Sequence, residues 1–284
     1  MRALDRIVAA FAAVLGLAAL ARAPGQPGAR WIVVAALLLA LLAWLMPRLG
    51  HASAPLRTLR ELYPLVLLSG LYSALDVLIP PGAVLHDATV LGWEQALFGG
   101  QPSRDWWRAA PSIPWSVTLH AAYLAYYPLL VLPPAWFALR RDLPALRRAA
   151  LAITAAFLLC YVVFLLFPVA GPYYVFPQPT GPFVAHWAAR AVYGLLATGS
   201  SYGAAFPSSH VAAAVVACWA TWRGAPRLGA LTLPPTMLLV VATVYCQMHY
   251  AVDAAAGLLV ALLVAAAVHA WERRPHTGPV LTGP

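Results

Sequence analysis

The chain consists of long apolar runs separated by short segments that are rich in arginine, proline and glycine. Several runs approach or exceed about 18 residues, a length with which an α-helix crosses a bilayer core of roughly 30 Å. We therefore predict an all-α polytopic membrane protein with about eight transmembrane helices. The expected spans are residues 5–22, 31–47, 60–80, 115–139, 146–168, 208–223, 227–247 and 250–271.

The composition supports this class of protein. The chain is 62% hydrophobic and 10% charged, whereas a soluble domain carries about 25% charged residues. All 18 basic residues are arginines, and they lie in short loops rather than in one patch, so no nucleic-acid partner is expected. Cys160, Cys218 and Cys246 lie in or beside apolar spans, and their spacing fits neither a disulfide pair nor a metal site.

The distribution of arginine predicts the orientation of the chain, because cytoplasmic loops of membrane proteins carry an excess of basic residues. With a cytoplasmic N-terminus, 13 of the 18 arginines fall on the cytoplasmic side and the other five on the outer side. Both termini then face the cytoplasm. This topology requires that the first helix is retained, although residues 1–23 also resemble a secretory signal peptide.

Two long loops, residues 81–114 and 167–206, face outward in this topology. The first contains a predicted short amphipathic helix at residues 91–100, which we expect in the membrane interface. The second contains a helical pattern at residues 186–196. Aromatic residues are frequent in both loops. They form either an interfacial belt or a lid or groove for a lipid.

A short polar motif precedes the last span. His249 and Asp253 are four residues apart, so a helix places them on one face, one turn apart. A carboxylate in this position accepts a hydrogen bond from the imidazole and leaves the other ring nitrogen available as a nucleophile or base. Ionisable groups at membrane depth are costly and indicate a functional site. Taken alone, the pair also fits a solvated helix end.

A second motif, Pro207-Ser208-Ser209-His210, precedes the sixth span and is a helix start signal. The first-turn N–H groups form an anion site, and His210 is placed to act as an acid or base. By itself the motif is only an N-cap beside a histidine. On the same membrane face as His249 and Asp253, it indicates phosphoryl chemistry, with a phosphate cradle, a nucleophile and a proton donor.

These two motifs, about forty residues apart, resemble those of the phosphatidic acid phosphatase type 2 superfamily. The finer pattern is similar to the inositol phosphorylceramide synthase (inositolphosphotransferase) branch and its bacterial members, in which a Gly-Pro-x-Tyr loop precedes Pro-Ser-x-His and His-Tyr-x-x-Asp. The stretches that carry the resemblance are residues 120–127, 167–174, 205–210 and 245–253. The likeness extends over about residues 60–270.

The resemblance implies a six-helix catalytic membrane domain at residues 58–272. Two additional N-terminal helices within residues 1–57 precede it, and a short cytoplasmic tail, residues 273–284, follows it. A bacterial inner-membrane location is implied, with the active site on the periplasmic or extracellular face. The implied substrate is a lipid phosphate in the bilayer, with water or an alcohol headgroup as the acceptor. No cofactor and no metal are expected.

The resemblance also implies a role for each motif residue. His249 attacks phosphorus, Asp253 orients it, and His210 protonates the leaving oxygen. The superfamily has a Lys-x6-Arg-Pro motif that supplies two cations to the phosphate, but this chain has no lysine. In addition, Gln247 stands where bacterial relatives often have an arginine. A transferring phosphoryl group needs positive charge or dense donors. The expected phosphate-binding residues are Ser208, Ser209, Gln247, Arg104, Arg108 and Tyr173, and the expected groove residues are His120, Tyr123, Tyr127 and Tyr174.

Three functions remain open at this level. The first is a metal-independent lipid phosphatase or phosphotransferase, and the motif residues do not separate these two activities. The second is a catalytically degenerate lipid-binding or transport protein of the same fold, which the missing cations favour and the three retained catalytic side chains oppose. The third is a metalloenzyme that uses His210, His249 and Asp253, for which no further ligand is evident.

Overall fold

The computed structural model describes residues 2–49 and 53–273, so the expected tail beyond Arg273 lies outside the described residues. The α-helices are α1 (Ala3–Arg22), α2 (Ala29–Leu45), α3 (Ala54–Leu78), α4 (Asp87–Phe98), α5 (Pro102–Ala109), α6 (Ile113–Leu124), α7 (Tyr126–Leu139), α8 (Leu143–Leu166), α9 (Pro172–Val175), α10 (Trp187–Gly199), α11 (Ser209–Gly224), α12 (Pro226–Tyr245) and α13 (Ala251–Glu272). Short 3₁₀ turns occur at Met46–Leu49 and Gly181–Phe183. The described residues form no β-strand, and one isolated parallel β-bridge joins Val169 and Ala204.

Seven stretches of the described chain are long and apolar enough to cross a membrane. This finding confirms the predicted all-α polytopic class. One of the seven is Ile113–Leu139, which α6 and α7 form together. The span expected at residues 208–223 is α11, whose 16 residues make it shorter than any of the seven. It nevertheless belongs to the bundle, because it packs against α7, α8, α12 and α13.

Small residues allow α11 to lie at the centre of the bundle and close to α13. Gly257 of α13 is so near α11 that a β-carbon built on it is 2.5 Å from the carbonyl oxygen of Ser208. Backbones in membranes approach each other this closely where the contact residues are small. The N–H of Ser208 also donates to the carbonyl of Asp253 at 2.9 Å. The starts of α11 and α13 therefore lie together, and we call this end of the bundle the site end.

A buried ionic network lies at the opposite end. Arg2 pairs with Asp5 at 2.7 Å and with Glu61 at 2.8 Å. Arg147 of α8 approaches Glu61 to 3.1 Å, and the Tyr63 hydroxyl donates to Asp5. Because a buried carboxylate is strongly unfavourable unless it is paired, these contacts tie together the beginnings of α1, α3 and α8.

The structure confirms both helices that were predicted between the spans. α4 covers most of residues 91–100 and packs against α13, whereas α10 corresponds to residues 186–196 and packs against α6. The amphipathic pattern predicted for this helix is absent from α4, since the charged Glu94 is buried beside Val90 whereas Trp93, Leu97 and Phe98 are exposed. Both helices lie at the site end, and α4 contacts the start of α13 directly.

Candidate active site

The three predicted catalytic side chains converge at the site end. Nε2 of His249 lies 3.4 Å from Nδ1 of His210, although the two residues are 39 positions apart. Nδ1 of His249 lies 3.5 Å from a carboxylate oxygen of Asp253. His249 and Asp253 are buried. Within residues 2–49 and 53–273, no group of three or more His, Cys, Asp and Glu side chains is arranged to hold a metal ion.

The closest partner of His249 Nδ1 is a backbone carbonyl. The oxygen of Ala205 lies 3.1 Å from this nitrogen, nearer than the carboxylate of Asp253. Because both neighbours are acceptors, Nδ1 carries the hydrogen and the lone pair of Nε2 faces His210. Burial lowers the pKa of His249 to about 4, so the imidazole is neutral near pH 7.

The Ala205 carbonyl is held where the segment before α9 pairs with the segment before α11 through backbone hydrogen bonds. Val169 N–H donates to Gly203 at 3.1 Å, and Ala205 N–H donates to Val169 at 2.9 Å. Gly171 has a φ of +91°, and a β-carbon on it would lie 2.7 Å from that of Ala205. The φ value and the close contact both require glycine at this position. Sequence reasoning did not find the role of Ala205, because a backbone carbonyl leaves no signature in a motif.

Asp253 also stabilises the start of its own helix. Its Oδ2 accepts the N–H of Tyr250 at 2.8 Å in a capping box. Its Oδ1 is buried and has no hydrogen-bond partner among the described residues. One carboxylate oxygen is therefore shared between the helix cap and the imidazole of His249, which accounts for the 3.5 Å separation between Asp253 and His249.

His210 contacts a polar group through each ring nitrogen. Its Nδ1 faces His249, and its Nε2 lies 3.2 Å from the hydroxyl of Tyr123. The ring of Tyr126 packs on the imidazole with centroids 4.3 Å apart. Tyr123 and Tyr126 lie three residues apart, on either side of the interruption of the helix at Ala125. They share one face, and both reach His210. Tyr123, expected in the groove, thus contacts a predicted catalytic side chain directly.

The two serines of the motif have different surroundings. Ser208 Oγ accepts the N–H of Val211 at 3.3 Å and is the N-cap of α11. Ser209 lies beside His210 in the lining of a cavity. The helix start predicted from the motif is therefore present. The phosphate-binding roles of Ser208 and Ser209 stay predictions.

An apolar cavity of about 660 Å³ begins at Ser209 and His210 and extends between α3, α7, α8 and α10. Tyr123 and Tyr127, both expected in the groove, line it. Along α3 the lining reaches Leu62, near the opposite end of the bundle. Among the described lining residues, none is an arginine, aspartate or glutamate. The cavity therefore suits an uncharged apolar chain that ends beside His210.

His120 and Tyr174 lie outside the lining that the structure describes for this cavity. His120 is buried, and its Nδ1 lies 2.8 Å from the carbonyl of Ser116, one turn earlier on α6. The Tyr174 hydroxyl lies 2.6 Å from Oγ of Ser200, a residue that does line the cavity. Tyr173 is nearby and stacks on Tyr193. The groove roles of His120 and Tyr174 have no direct contact that supports them.

Gln247 and Arg108 form a contact between α5 and the motif segment. Nη1 of Arg108 donates to Oε1 of Gln247 at 2.9 Å, and the Trp107 indole donates to the same oxygen at 3.1 Å. Gln247, with a φ of +60°, is two residues before His249. Arg104 instead forms an exposed ion pair with Asp105 at 2.6 Å. Of the two predicted arginines, Arg108 is the one that contacts the motif segment.

Two carboxylates of α4, the buried Glu94 and the half-buried Asp87, also reach this segment. Glu94 accepts N–H groups at the start of α13, and Asp87 accepts the hydroxyl of Tyr250 at 3.0 Å. Sequence reasoning assigned α4 to the interface and gave neither residue a role. The sequence offered one clue to both residues. Acidic residues are rare in this chain, which has nine, and a glutamate in an apolar helix needs a partner.

Comparison with protein families gives one match. A model of the PAP2 superfamily matches residues 88–267, a region that contains both motifs and begins after α3. A search of curated proteins and a search of solved structures found no significant match.

Proposed function

The chain belongs to the PAP2 superfamily, and from this premise we propose that it is an integral-membrane enzyme that cleaves a lipid phosphate through a phosphohistidine on His249. Membership of the superfamily supports a phosphatase-type function on lipid phosphates. The observation that carries the finer proposal is the contact between His249 and His210 at one end of an apolar cavity. The phosphate is placed at the imidazoles and the lipid chain in the cavity.

The reaction has two steps. In the first, Nε2 of His249 forms a bond to phosphorus while the bond from phosphorus to the leaving alkoxide oxygen breaks. His210, in its protonated form, gives a proton to that oxygen. In the second, water or an alcohol attacks phosphorus, the bond to Nε2 breaks, and His210 takes the proton of the attacking oxygen. The facing nitrogens lie 3.4 Å apart in this structure, so the imidazoles separate to admit the phosphoryl group.

The hydrogen bonds of His249 support its role as the nucleophile. A nucleophilic imidazole must be neutral, with its lone pair directed at the substrate. The acceptors at Nδ1, the Ala205 carbonyl and Asp253, hold the hydrogen on that nitrogen. When Nε2 becomes bonded to phosphorus, the ring gains positive charge. Asp253 then stabilises this charge at the moment when it develops.

The phosphate oxygens need donors and positive charge. We assign the donors to the first-turn N–H groups of α11 and to Ser209, since helix starts bind anions. We assign the positive charge to Arg108, which Gln247 anchors two residues before His249. Tyr173 is a secondary candidate, whereas Arg104 is engaged in its exposed ion pair with Asp105.

The cavity favours a lipid over a water-soluble phosphate ester. Leu62 and Tyr72 both line it and are ten residues apart on α3, which corresponds to roughly 15 Å along a helix. A lipid chain of about this length extends from His210 into the hydrophobic interior of the bundle. The cavity does not distinguish hydrolysis from transfer to a headgroup, and the motif pattern resembles inositolphosphotransferases. We therefore propose either a lipid phosphatase or a phosphotransferase that resembles the inositolphosphotransferases.

The proposed location is a bacterial inner membrane with the site end on the periplasmic or extracellular face. The arginine distribution supports this orientation. The lipid phosphate then reaches His210 from the outer leaflet.

Purified protein with a panel of lipid phosphates tests the function. Phosphate release and headgroup exchange are measured, and phosphohistidine is sought with substrate labelled on phosphorus. We expect His249→Ala to lower kcat by about 10⁴-fold or more, as removal of a nucleophile does. His269→Ala is the matched control, because it removes an imidazole from the last turn of α13. Full activity of His249→Ala would contradict the proposed mechanism.

Two further outcomes discriminate the alternatives. Saturable lipid binding without turnover of any lipid phosphate would favour a degenerate lipid-binding or transport protein. Loss of activity on addition of a chelator, restored by a divalent metal, would favour the metalloenzyme. Label on the protein that is lost in His249→Ala supports the phosphohistidine.

A further inference from the structure

The helix α4 carries two carboxylates, the buried Glu94 and the half-buried Asp87, that contact the segment around His249. Glu94 is fully buried, and its Oε1 accepts the N–H groups of Ala251 and Val252, the latter at 3.2 Å. These N–H groups belong to the first turn of α13, where backbone donors have no partner within the helix. A carboxylate at a helix N-terminus also interacts favourably with the helix dipole.

Glu94 and Asp253 together bind three consecutive backbone N–H groups. Asp253 accepts from Tyr250 at 2.8 Å, and Glu94 accepts from the next two residues. The N–H of Asp253 in turn donates to the Tyr250 carbonyl at 3.1 Å. Two contacts therefore position the Asp253 side chain. One is its own hydrogen bond from the Tyr250 N–H. The other is the hold of Glu94, 159 positions earlier in the chain, on the next two N–H groups.

Asp87 contacts the same region from the same helix. It precedes Glu94 by seven residues, or about two helical turns. Its oxygens accept the Tyr250 hydroxyl at 3.0 Å and the N–H groups of Ala170 and Gly171, both at 2.9 Å. Ala170 follows Val169, whose backbone holds Ala205, the carbonyl partner of His249. α4 thus fixes both acceptors that flank Nδ1 of His249.

We infer that Glu94 is a positioning residue, whose carboxylate fixes the first turn of α13 and so holds Asp253 beside Nδ1 of His249. The inference rests on the proposed function, because it assigns His249 the role of the nucleophile. Glu94 acts through Asp253 and lies outside the described lining of the cavity. Loss of this acceptor oxygen therefore lowers kcat and leaves KM nearly unchanged.

The substitutions Glu94→Leu and Glu94→Gln test this inference. Leucine removes the acceptor, whereas glutamine keeps an oxygen that accepts the same N–H groups. With dioleoyl phosphatidic acid in mixed micelles, we expect Glu94→Leu to lower kcat by about 100-fold, a typical effect of small misplacement of a reacting group. Glu94→Gln should retain most of the activity. The matched control is Glu61→Leu, since Glu61 is equally buried but lies at the opposite end.

Hydrogen exchange of the backbone amides gives a second readout that does not need turnover. In the wild-type protein the amides of Ala251 and Val252 should exchange slowly, and in Glu94→Leu the peptide containing residues 249–254 should exchange faster. Glu94→Gln and Glu61→Leu should leave that peptide unchanged. Rapid wild-type exchange at these amides, or a folded Glu94→Leu variant with wild-type kcat, would overturn the inference.

These readouts also separate this inference from the proposed function. If the wild-type protein releases no phosphate, the catalytic proposal fails, and the exchange rates still decide whether Glu94 fixes this turn. If His249→Ala is inactive but Glu94→Leu is fully active, the function stands and the positioning role fails.

Discussion

At the scale of single residues, the orientation of His249 depends on two acceptors rather than one. The Ala205 carbonyl lies 3.1 Å from Nδ1, and the Asp253 carboxylate lies 3.5 Å from it. A carbonyl and a carboxylate both hold the hydrogen on Nδ1, but only the carboxylate offers a full negative charge. In the proposed mechanism the two acceptors therefore have different roles. Either one fixes the tautomer of His249, whereas Asp253 alone stabilises the charged ring.

This division predicts a moderate effect for Asp253→Asn. Where a carboxylate alone sets the tautomer, the same substitution lowers kcat by about 10⁴-fold. Here Ala205 keeps the hydrogen on Nδ1, and we expect a loss of about 100-fold, smaller than that of His249→Ala. Steady-state phosphate release from the preferred lipid measures both variants. A loss in Asp253→Asn as large as that in His249→Ala would contradict the role given to Ala205.

The two arginines of the first outer loop should differ in their effect. Arg108 is anchored to Gln247, whereas Arg104 forms an exposed ion pair with Asp105. Exposed pairs contribute little to stability. We expect Arg108→Ala to lower kcat by about 100-fold, the usual effect of losing one group that stabilises transition-state charge. Arg104→Ala is the matched control and should stay close to wild type in the same assay.

At the scale of helices, the close contact of α11 and α13 determines whether the two motifs meet. Gly257→Ala places a β-carbon 2.5 Å from the Ser208 carbonyl oxygen, so the helices must separate. Overpacking of this kind destabilises a protein by about 1–3 kcal/mol. We expect a lower thermal midpoint together with lower kcat. Gly70→Ala in α3 is the control, because nothing lies within 4 Å of its added β-carbon, and it should leave both values near wild type.

Helix α3 forms one wall of the cavity, although it precedes the residues that the family model matches. Leu65 faces the cavity, whereas Leu59 is exposed and lies outside the described lining. We expect Leu65→Trp to raise KM for a long-chain lipid phosphate about tenfold, within the range for steric changes in an apolar pocket. KM for a short-chain analogue should change little. Leu59→Trp is the control, and an equal rise for both chain lengths would contradict the proposed position of the lipid chain.

At the scale of the whole molecule, the ionic contacts agree with the predicted topology. The beginnings of α1, α3 and α8 meet in the network around Glu61, and Arg148 of α8 pairs with Glu272 at the end of α13 at 2.6 Å. These four points must lie on one side of the membrane, as the predicted topology requires. Most of the chain's arginines were assigned to that side from the sequence.

Reporter fusions test this topology. A reporter fused after Arg148 should be cytoplasmic, because this side carries 13 of the 18 arginines in the predicted topology. A reporter inserted after Gly25, in the turn between α1 and α2, should lie outside. A periplasmic signal from the Arg148 fusion would invert the orientation and place the site end in the cytoplasm.

Much of the architecture follows from local properties of the sequence. The length and apolarity of each run determine the spans, and the four-residue spacing determines that His249 and Asp253 share a helix face. The number of spans between the two motifs places them on one side of the membrane. The motif itself also predicts a helix start, and the structure has the N-cap of α11 at Ser208. These features depend on near neighbours in the chain, and sequence patterns record near neighbours directly.

The tertiary structure alone decided how the site is assembled. Ala205 reaches His249 across 44 positions, Arg108 reaches Gln247 across 139, and Glu94 reaches Ala251 across 157. It also placed His120 against its own helix backbone rather than in the lining of the cavity. Each contact depends on how helices pack and where loops cross, and a side chain's partner there is often a backbone group that any residue type supplies. The motifs therefore identify the groups that are proposed to react, and only the packing identifies what holds them in place.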